Sequence, residues 1–186
     1  LVVIVNYRVA ALTLQCVRTL IPERNRVPNL RVTIVVNDSG DEAALRNGLA
    51  DPVFEGWTDL VVAERNGGFA YGNNCAIRRM LNEPQPSDYV LLLNPDTEVR
   101  PGAVETLCAF MESHPDAGIV GARLLNPDGS LQVSAYPEPT LSREFWRLFH
   151  LDRLWYYGTY PMKNWNHNEP RKVDILKGAC LLVRRK

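Results

Sequence analysis

The chain has 186 residues and carries 21 Lys plus Arg against 21 Asp plus Glu, so its formal net charge is zero. A balanced charge argues against non-specific nucleic-acid binding, which depends on a basic surface that displaces counterions. With 46% hydrophobic residues and no apolar stretch near the roughly 20 residues that span a bilayer, the composition is typical of a single globular domain.

The first half of the chain alternates short apolar runs with segments of helical spacing. The runs are nearly continuous Val, Ile and Leu, which is typical of strands buried on both faces of a parallel sheet. They are Leu1–Val5, Val32–Val36, Leu60–Ala63 and Tyr89–Leu93. This alternation predicts an α/β fold with a Rossmann-like, mostly parallel sheet and helices on both faces.

Apolar stripes with helical spacing predict three helices between and after these strands. The stripes are Ala10, Leu14, Val17 and Ile21; Phe69, Asn73, Ala76, Ile77 and Met80; and Val104, Leu107, Cys108 and Met111. Pro101 suits the first turn of the last of these helices. A shorter helix is predicted after Ser39, with Asp41 and Glu42 near its positive end.

The second half of the chain changes character. The turn sequence Asn126-Pro127-Asp128-Gly129 predicts a hairpin between Gly118–Leu125 and Ser130–Ser134. Three further elements are predicted: a helix over Thr140–His150, a loop over Trp155–Pro170, and a strand over Val173–Arg184 that is interrupted by Gly178-Ala179.

A run of aromatic and aliphatic residues between Phe145 and Tyr157 is more apolar than one small helix requires. Additional core, a subunit contact in a homo-oligomer, an acceptor platform and a peripheral membrane contact are all compatible with it. Core or subunit contact is the preferred interpretation.

The four cysteines lie far apart inside apolar patterns, without metal-ligand spacing or the pattern of a compact disulfide framework. They are predicted to be buried, reduced thiols, as in a cytoplasmic protein. They are Cys16, Cys75, Cys108 and Cys180.

Polar residues follow each of the four predicted strands. The strands run into Asn6-Tyr7-Arg8, Asn37-Asp38-Ser39, Glu64-Arg65-Asn66-Gly67-Gly68 and Asn94-Pro95-Asp96-Thr97. Each motif alone is also compatible with a turn or a helix cap. Because ligands of open parallel sheets bind beyond the carboxyl ends of the strands, four such motifs together predict a pocket at that edge.

The tripeptide Asn94-Pro95-Asp96 has a twin at Asn126-Pro127-Asp128, and the two copies differ in context. The second copy is followed by Gly-Ser between hairpin strands, so a turn explains it. The first copy follows a buried strand and has no Gly after it. A carboxylate held there can bind Mg²⁺ or Mn²⁺ together with phosphate oxygens and water, so a metal or phosphate role is assigned to Asp96 and not to Asp128.

The segment Gly67–Asn74 opens a predicted helix but lacks the glycine spacing of a dinucleotide-binding fingerprint. Its flexible backbone and helix N-terminus can lie beside an anion. A tight turn with close helix packing explains the same residues equally well.

Four segments together resemble family 2 glycosyltransferases in order and approximate spacing, and are most similar to the bacterial rhamnosyltransferase-like branch. They are Val2–Tyr7, Val35–Asp41, Asn66–Asn74 and Leu92–Thr97. Gly118–Gly129 and Asp174–Arg185 fit the same branch, so the resemblance covers nearly the whole chain. It implies an A-type glycosyltransferase fold and one nucleotide-sugar-binding domain over residues 1–186, with a donor-binding half (1–116) and an acceptor-side half (117–186).

The resemblance also implies which residues bind the nucleotide-sugar: Asn6, Tyr7, Asp38, Asn66, Gly68, Asn74, Asn94 and Asp96. Asp38 would contact the base or ribose. Asn94 stands where the family's metal motif usually has its first acid, so Asp96 is the expected principal contact of Mg or Mn. The implied reaction is an inverting transfer from a nucleoside-diphosphate sugar to a hydroxyl of a saccharide or lipid-linked acceptor. Such transfers serve polysaccharide or glycolipid assembly, in the cytoplasm or at the inner face of the membrane.

The general base of this reaction is expected in an acidic motif beyond Lys186, so the chain is expected to be truncated at its C-terminal end. Asp174 is a weaker candidate within the chain. Two other functions remain open. A nucleotidyltransferase of sugar phosphates would usually carry a glycine-rich loop with Arg and Lys after the first strand, which Asn6–Ala10 lacks. A non-catalytic nucleotide-sugar-binding module is compatible with a missing base.

Overall fold

The computed structural model describes residues 1–151, 165 and 169–185. These residues form two compact units: Leu1–Val120 with Gly178–Lys186, and Gly121–Lys177. The predicted loop Trp155–Pro170 lies almost entirely outside the described residues.

The described helices and strands follow in chain order. They are β1 (Val2–Asn6), α1 (Ala10–Thr19), α2 (Ile21–Arg24), β2 (Val32–Val36), α3 (Glu42–Leu49), β3 (Thr58–Val62), α4 (Gly68–Leu81), β4 (Tyr89–Leu93), α5 (Ala103–Ser113), β5 (Ile119–Gly121), β6 (Leu124–Leu125), β7 (Leu131–Gln132), β8 (Ala135–Tyr136), α6 (Leu141–Leu148), β9 (Ile175–Leu176) and β10 (Cys180–Arg184).

Six strands form the main sheet in the order β3-β2-β1-β4-β10-β5. Strands β1 to β4 are parallel to one another, and β10 runs antiparallel beside β4. The predicted α/β sheet is therefore confirmed. The interruption predicted at Gly178-Ala179 within Val173–Arg184 is present, and it separates β9, which pairs with β8, from β10, which pairs with β4.

Helices cover both faces of the central strands. Val3 and Val5 of β1 share a buried cluster with Ala76 and Met80 of α4. Because side chains alternate along a strand, Asn6 points to the opposite face. There its amide oxygen accepts a hydrogen bond from Thr13 of α1, at 2.8 Å.

The close approach of α4 to β1 requires Gly72. A Cβ atom at this position would lie 2.7 Å from Cγ1 of Val5, closer than real carbon atoms pack. The helix that begins next to the carboxyl edge of the sheet is thus seated directly against β1.

The buried stripe of α1 differs from the predicted one. Thr13, Cys16 and Val17 are buried, whereas Leu14 is only half-buried and lies against Gly48 of α3. The prediction omitted Thr13 because it treated this residue as polar, although Asn6 supplies a partner for its hydroxyl group. In α4 the predicted Phe69 is likewise exposed, but Asn73, Ala76 and Met80 are buried as expected.

The second unit contains two short antiparallel pairs, β6 with β7 and β8 with β9. The predicted hairpin around Asn126–Gly129 is present but shorter than expected, because Ile119–Gly121 joins the six-stranded sheet instead. The predicted helix over Thr140–His150 is α6, and Thr140 caps it by accepting a hydrogen bond from the Arg143 N–H at 3.2 Å.

None of the four cysteines, all of which lie within the described residues, forms a disulfide bond. Cys16 and Cys180 are buried, while Cys75 and Cys108 are half-buried. Burial raises the pKa of the Cys16 thiol to about 12, so this group is protonated at neutral pH. In the described part of the chain, no helix is long and apolar enough to cross a membrane.

Candidate functional site

The carboxyl ends of β1, β2, β3 and β4 lie at the same edge of the sheet because these strands are parallel. Chain order reverses between β1 and β4, since β1 is followed by β2 on one side and β4 lies on the other. Such a switch point opens a crevice where α/β proteins usually bind ligands. The polar motifs after the strands therefore meet where a pocket was predicted.

Asn6 ends β1 and is fully buried. Its amide nitrogen donates to Oδ2 of Asp41 at 2.8 Å, and its amide oxygen accepts from the Thr13 hydroxyl at 2.8 Å. A buried amide is stable only when its polar atoms have partners. Asn6 thus holds Asp41, the residue that directly precedes α3, near the end of β1.

Asn37 follows β2 and is also buried, with 3% of its surface exposed. Its amide nitrogen donates to Oδ1 of Asn66 at 2.9 Å and to the Gly68 carbonyl at 3.2 Å. The same Asn66 oxygen accepts from the Gly68 N–H at 3.2 Å. Asn37 therefore fixes the loop between β3 and α4, and Asn66 and Gly68 are brought together as the sequence suggested.

Asp38 directly follows Asn37 and carries a carboxylate. Its oxygens accept from Nε of Arg8 at 2.8 Å and from the Gly40 N–H at 3.0 Å. Two interactions hold the pKa of the Asp38 carboxyl below its usual range: the hydrogen bond from the Gly40 N–H, which has the larger effect, and the Arg8 guanidinium. The carboxylate therefore remains charged at neutral pH.

Arg8 adopts a left-handed backbone conformation with φ of 56°, which is uncommon for a residue other than glycine. This conformation places its guanidinium 5.5 Å from the ring centre of Tyr7. Tyr7 itself is 47% exposed. One exposed aromatic ring, one guanidinium and one carboxylate thus lie together beyond β1 and β2.

Asn94-Pro95-Asp96 forms a turn, which the Thr97 N–H closes by donating to the Asn94 carbonyl at 3.2 Å. The expectation that only the second Asn-Pro-Asp copy turns was wrong. The two copies differ instead in their carboxylates. Asp128 accepts from the Ser130 hydroxyl at 2.6 Å and the Ser130 N–H at 2.9 Å, whereas in the described residues no hydrogen bond or ion pair engages the exposed Asp96 carboxylate.

The loop that carries Asp96 is held by one face of α1 and α2. The contacts come from residues four positions apart: Gln15 donates to Glu98 at 2.5 Å, Thr19 accepts from the Val99 N–H at 3.0 Å, and Glu23 accepts from the Gly102 N–H. Cys16 also contacts the Asn94 carbonyl at 3.6 Å. Residues 94–102 are thus fixed at both ends while the Asp96 side chain stays open.

Glu23 was missed by sequence reasoning. It is fully buried and also accepts from the N–H groups of Val104, at 2.9 Å, and Glu105, at 3.2 Å. A carboxylate at this place satisfies the unpaired N–H groups of the first turn of α5 and complements the helix dipole. Asn37, Asp41 and Arg8 were also absent from the predicted binding set.

Two predicted residues stand apart from these contacts. Asn74 is exposed on α4. Asp174, the weak candidate for a general base, belongs to the second unit, where it is exposed and accepts from the Glu138 N–H at 3.0 Å. Their predicted roles stay predictions.

The donor set at this edge is compatible with a hard divalent cation. Within the described ranges, no three His, Cys, Asp or Glu side chains are grouped so that they could hold a metal. Mg²⁺, however, is commonly bound by one or two carboxylates, with phosphate oxygens and waters as the remaining ligands. The unengaged carboxylate of Asp96 fits this mode.

A cavity of about 110 Å³ lies at the opposite edge of the sheet, where β1, β2 and β3 begin. Two arginines line it, but both are paired. Arg31 bonds Glu83 at 2.6 Å, and Arg79 bonds Asp59 at 2.7 Å. The charges of both arginines in this cavity are therefore already balanced by acidic partners.

The chain matches one family model and a curated relative. The model of the family described as Glycosyl transferase family 2 matches residues 1–186. A curated Mycobacterium tuberculosis protein named N-acetylglucosaminyl-diphospho-decaprenol L-rhamnosyltransferase is 34% identical over 111 residues, which cover 55% of this chain. The match spans only 34% of the length of that relative.

Solved structures share the fold at low sequence identity. Residues 1–349 of TarS from S. aureus, in a complex with UDP-GlcNAc, give a TM-score of 0.56 at 14% identity, covering 75% of this chain and 38% of that TarS fragment. A Pyrobaculum calidifontis mannosyltransferase in complex with GDP-Man and Mn²⁺ gives 0.55 at 19% identity, covering 68% and 35%. The sheet and its helices therefore have the A-type glycosyltransferase fold.

Proposed function

Since the chain belongs to glycosyltransferase family 2, we propose that it binds a nucleoside-diphosphate sugar at the carboxyl edge of its sheet. The sugar would pass to an acceptor hydroxyl with inversion at the anomeric carbon. The observation that carries the proposal is the exposed carboxylate of Asp96, which has no hydrogen bond or ion pair to any described residue and lies on a loop that is otherwise fixed.

Asp96 would hold the divalent cation, Mg or Mn. When bound, the cation would stabilise the negative charge that develops on the diphosphate as it leaves. The contribution of the chain would be to hold the backbone of the loop that carries Asp96. The Thr19 and Glu23 contacts to residues 99 and 102 do this.

The nucleoside would lie beyond β1 and β2. Tyr7 offers an exposed aromatic face, on which a base can stack. Asp38 remains ionised, so its oxygens can accept hydrogen bonds from ribose hydroxyls or a base N–H. Asn6 and Asn37, both buried, would act by holding the Asp41 and Asn66 segments in position rather than by touching the ligand.

The acceptor is proposed to be a lipid-linked saccharide, because the mycobacterial relative is named for a diphospho-decaprenol acceptor. Attack by its hydroxyl from the face opposite the leaving diphosphate requires a general base to remove the proton.

Thermal unfolding with a panel of nucleoside diphosphates tests the donor proposal. One diphosphate is expected to raise the melting temperature when Mn²⁺ is present and to do so much less in EDTA, because ligands that bind only the folded state stabilise it. The matching nucleoside monophosphate, which offers the metal fewer oxygens, serves as the control.

Three results would count against the proposal. Stabilisation that is equal with Mn²⁺ and with EDTA would contradict the metal role. Stabilisation only by a triphosphate plus a sugar phosphate would indicate a nucleotidyltransferase instead. No response to any nucleotide would contradict a donor site in this chain.

A further inference from the structure

The helix α6 is amphipathic, but its apolar side faces solvent. Its two half-buried residues are Arg143 and Trp146, three positions apart and therefore on one side of the helix. Its most apolar residues lie on the other side and face solvent: Leu141, Phe145, Leu148 and Phe149 are 93%, 57%, 73% and 57% exposed. A helix on a globular domain normally turns such a stripe toward the core.

The exposed stripe is continuous. Its members are spaced at positions i, i+4, i+7 and i+8, and the rings of Phe145 and Phe149 lie 4.4 Å apart, centre to centre. No side chain of α6 is fully buried. A helix with this geometry keeps its apolar face available for a partner outside its own unit.

The charge and composition of residues 140–172, the stretch of sequence that contains α6, indicate the kind of partner. Residues 140–172 contain six Lys or Arg and three Asp or Glu, and half of all Trp, Tyr and Phe residues in the chain. Because the whole chain is neutral, the remaining residues carry an excess of three acids. A local combination of basic and aromatic residues is typical of surfaces that bind anionic lipid headgroups and the membrane interface.

From these observations we propose that α6 docks the protein on an anionic membrane surface, with Leu141, Phe145, Leu148 and Phe149 inserted at the headgroup level. The helix would lie in the plane of the interface rather than cross it. The sequence interpretation preferred core or subunit contact for this region; the outward stripe instead favours its membrane alternative. The docking is independent of the donor site and would bring that site to a lipid-linked acceptor.

Flotation with lipid vesicles tests the docking, without nucleotide or metal. The protein is expected to float with vesicles of phosphatidylcholine and phosphatidylglycerol, and less with phosphatidylcholine alone. Leu148→Glu is expected to lower the bound fraction about tenfold, because it removes an inserted apolar side chain and adds a charge repelled by the lipid. Leu81→Glu makes the same exchange at an exposed leucine of α4 and should leave binding unchanged.

Circular dichroism and light scattering complete the test. Both variants should keep the helical spectrum of the original protein, because Leu148 and Leu81 are exposed. The proposal is overturned if the original protein binds neither kind of vesicle, or if Leu81→Glu reduces binding as much as Leu148→Glu. It is also overturned if Leu148→Glu converts a dimer to a monomer without lipid, which would assign the stripe to contact between copies.

Discussion

Replacing Asp96 with Asn is expected to abolish the metal-dependent part of diphosphate binding, lowering the affinity measured with Mn²⁺ by about 100-fold or more. The amide keeps the size of the side chain but loses the charge that the cation requires. Stability should barely change, within about 0.5 kcal/mol, because Asp96 is exposed and makes no bond in the described residues. Isothermal titration calorimetry with and without EDTA measures the effect.

Asp128→Asn is the matched control, since it makes the same change in the same tripeptide. The Asp128 carboxylate accepts hydrogen bonds from the N–H and hydroxyl groups of Ser130 within its own turn. These hydrogen bonds also lower the pKa of Asp128. Diphosphate affinity should stay within about twofold of the original value in this variant. Equal losses in the two variants, or none in Asp96→Asn, would show that Asp96 is not the metal contact.

Replacing Glu23 with Ala is expected to lower the free energy of unfolding by about 3–5 kcal/mol. The substitution leaves the N–H groups of Gly102, Val104 and Glu105 without their acceptor, and it removes a charge that complements the α5 dipole. Urea denaturation at neutral pH measures the change.

Two further variants calibrate the Glu23 result. Glu23→Gln keeps one acceptor oxygen and should lose about half as much stability. Glu105→Ala removes an exposed carboxylate from the same helical turn, whose pairing with Arg26 at 3.3 Å is solvent-exposed, and should cost less than about 1 kcal/mol. If Glu23→Ala cost no more than Glu105→Ala, the buried cap would not hold α5 and its preceding loop.

The sheet was the most predictable part of the molecule. Strands β2 and β4 have the predicted bounds, because an apolar run of five residues between polar segments leaves little choice of register. The hairpin was less predictable. Ile119–Gly121 has the same local character whether it pairs with the next strand or with the edge of the main sheet.

Buried polar residues account for the errors. Thr13 and Glu23 have polar side chains, so a periodicity argument places them on the surface. Each is buried because a partner on another element meets it: Asn6 of β1 for Thr13, and the first turn of α5, about 80 positions away, for Glu23. Such partners are known only once the fold brings them together.

The site was predictable as a location but not as a set of contacts. Parallel strands guarantee that the motifs ending β1, β2 and β4 share an edge. Sequence alone did not show that Asn6 and Asn37 turn inward while Tyr7 and Asp96 stay exposed. It also suggested that the two Asn-Pro-Asp copies differ in whether they form a turn. Within the described residues they differ instead in whether the aspartate carboxylate accepts a hydrogen bond.

A crystal structure of the protein with a nucleoside-diphosphate sugar and Mn²⁺ tests the central claim most directly. The anomalous signal of manganese is expected beside the Asp96 carboxylate, with the diphosphate in the crevice between β1 and β4 and the base near Tyr7 and Asp38. Density for the nucleotide at the opposite edge, in the cavity lined by Arg31 and Arg79, would contradict the account, as would manganese bound away from Asp96.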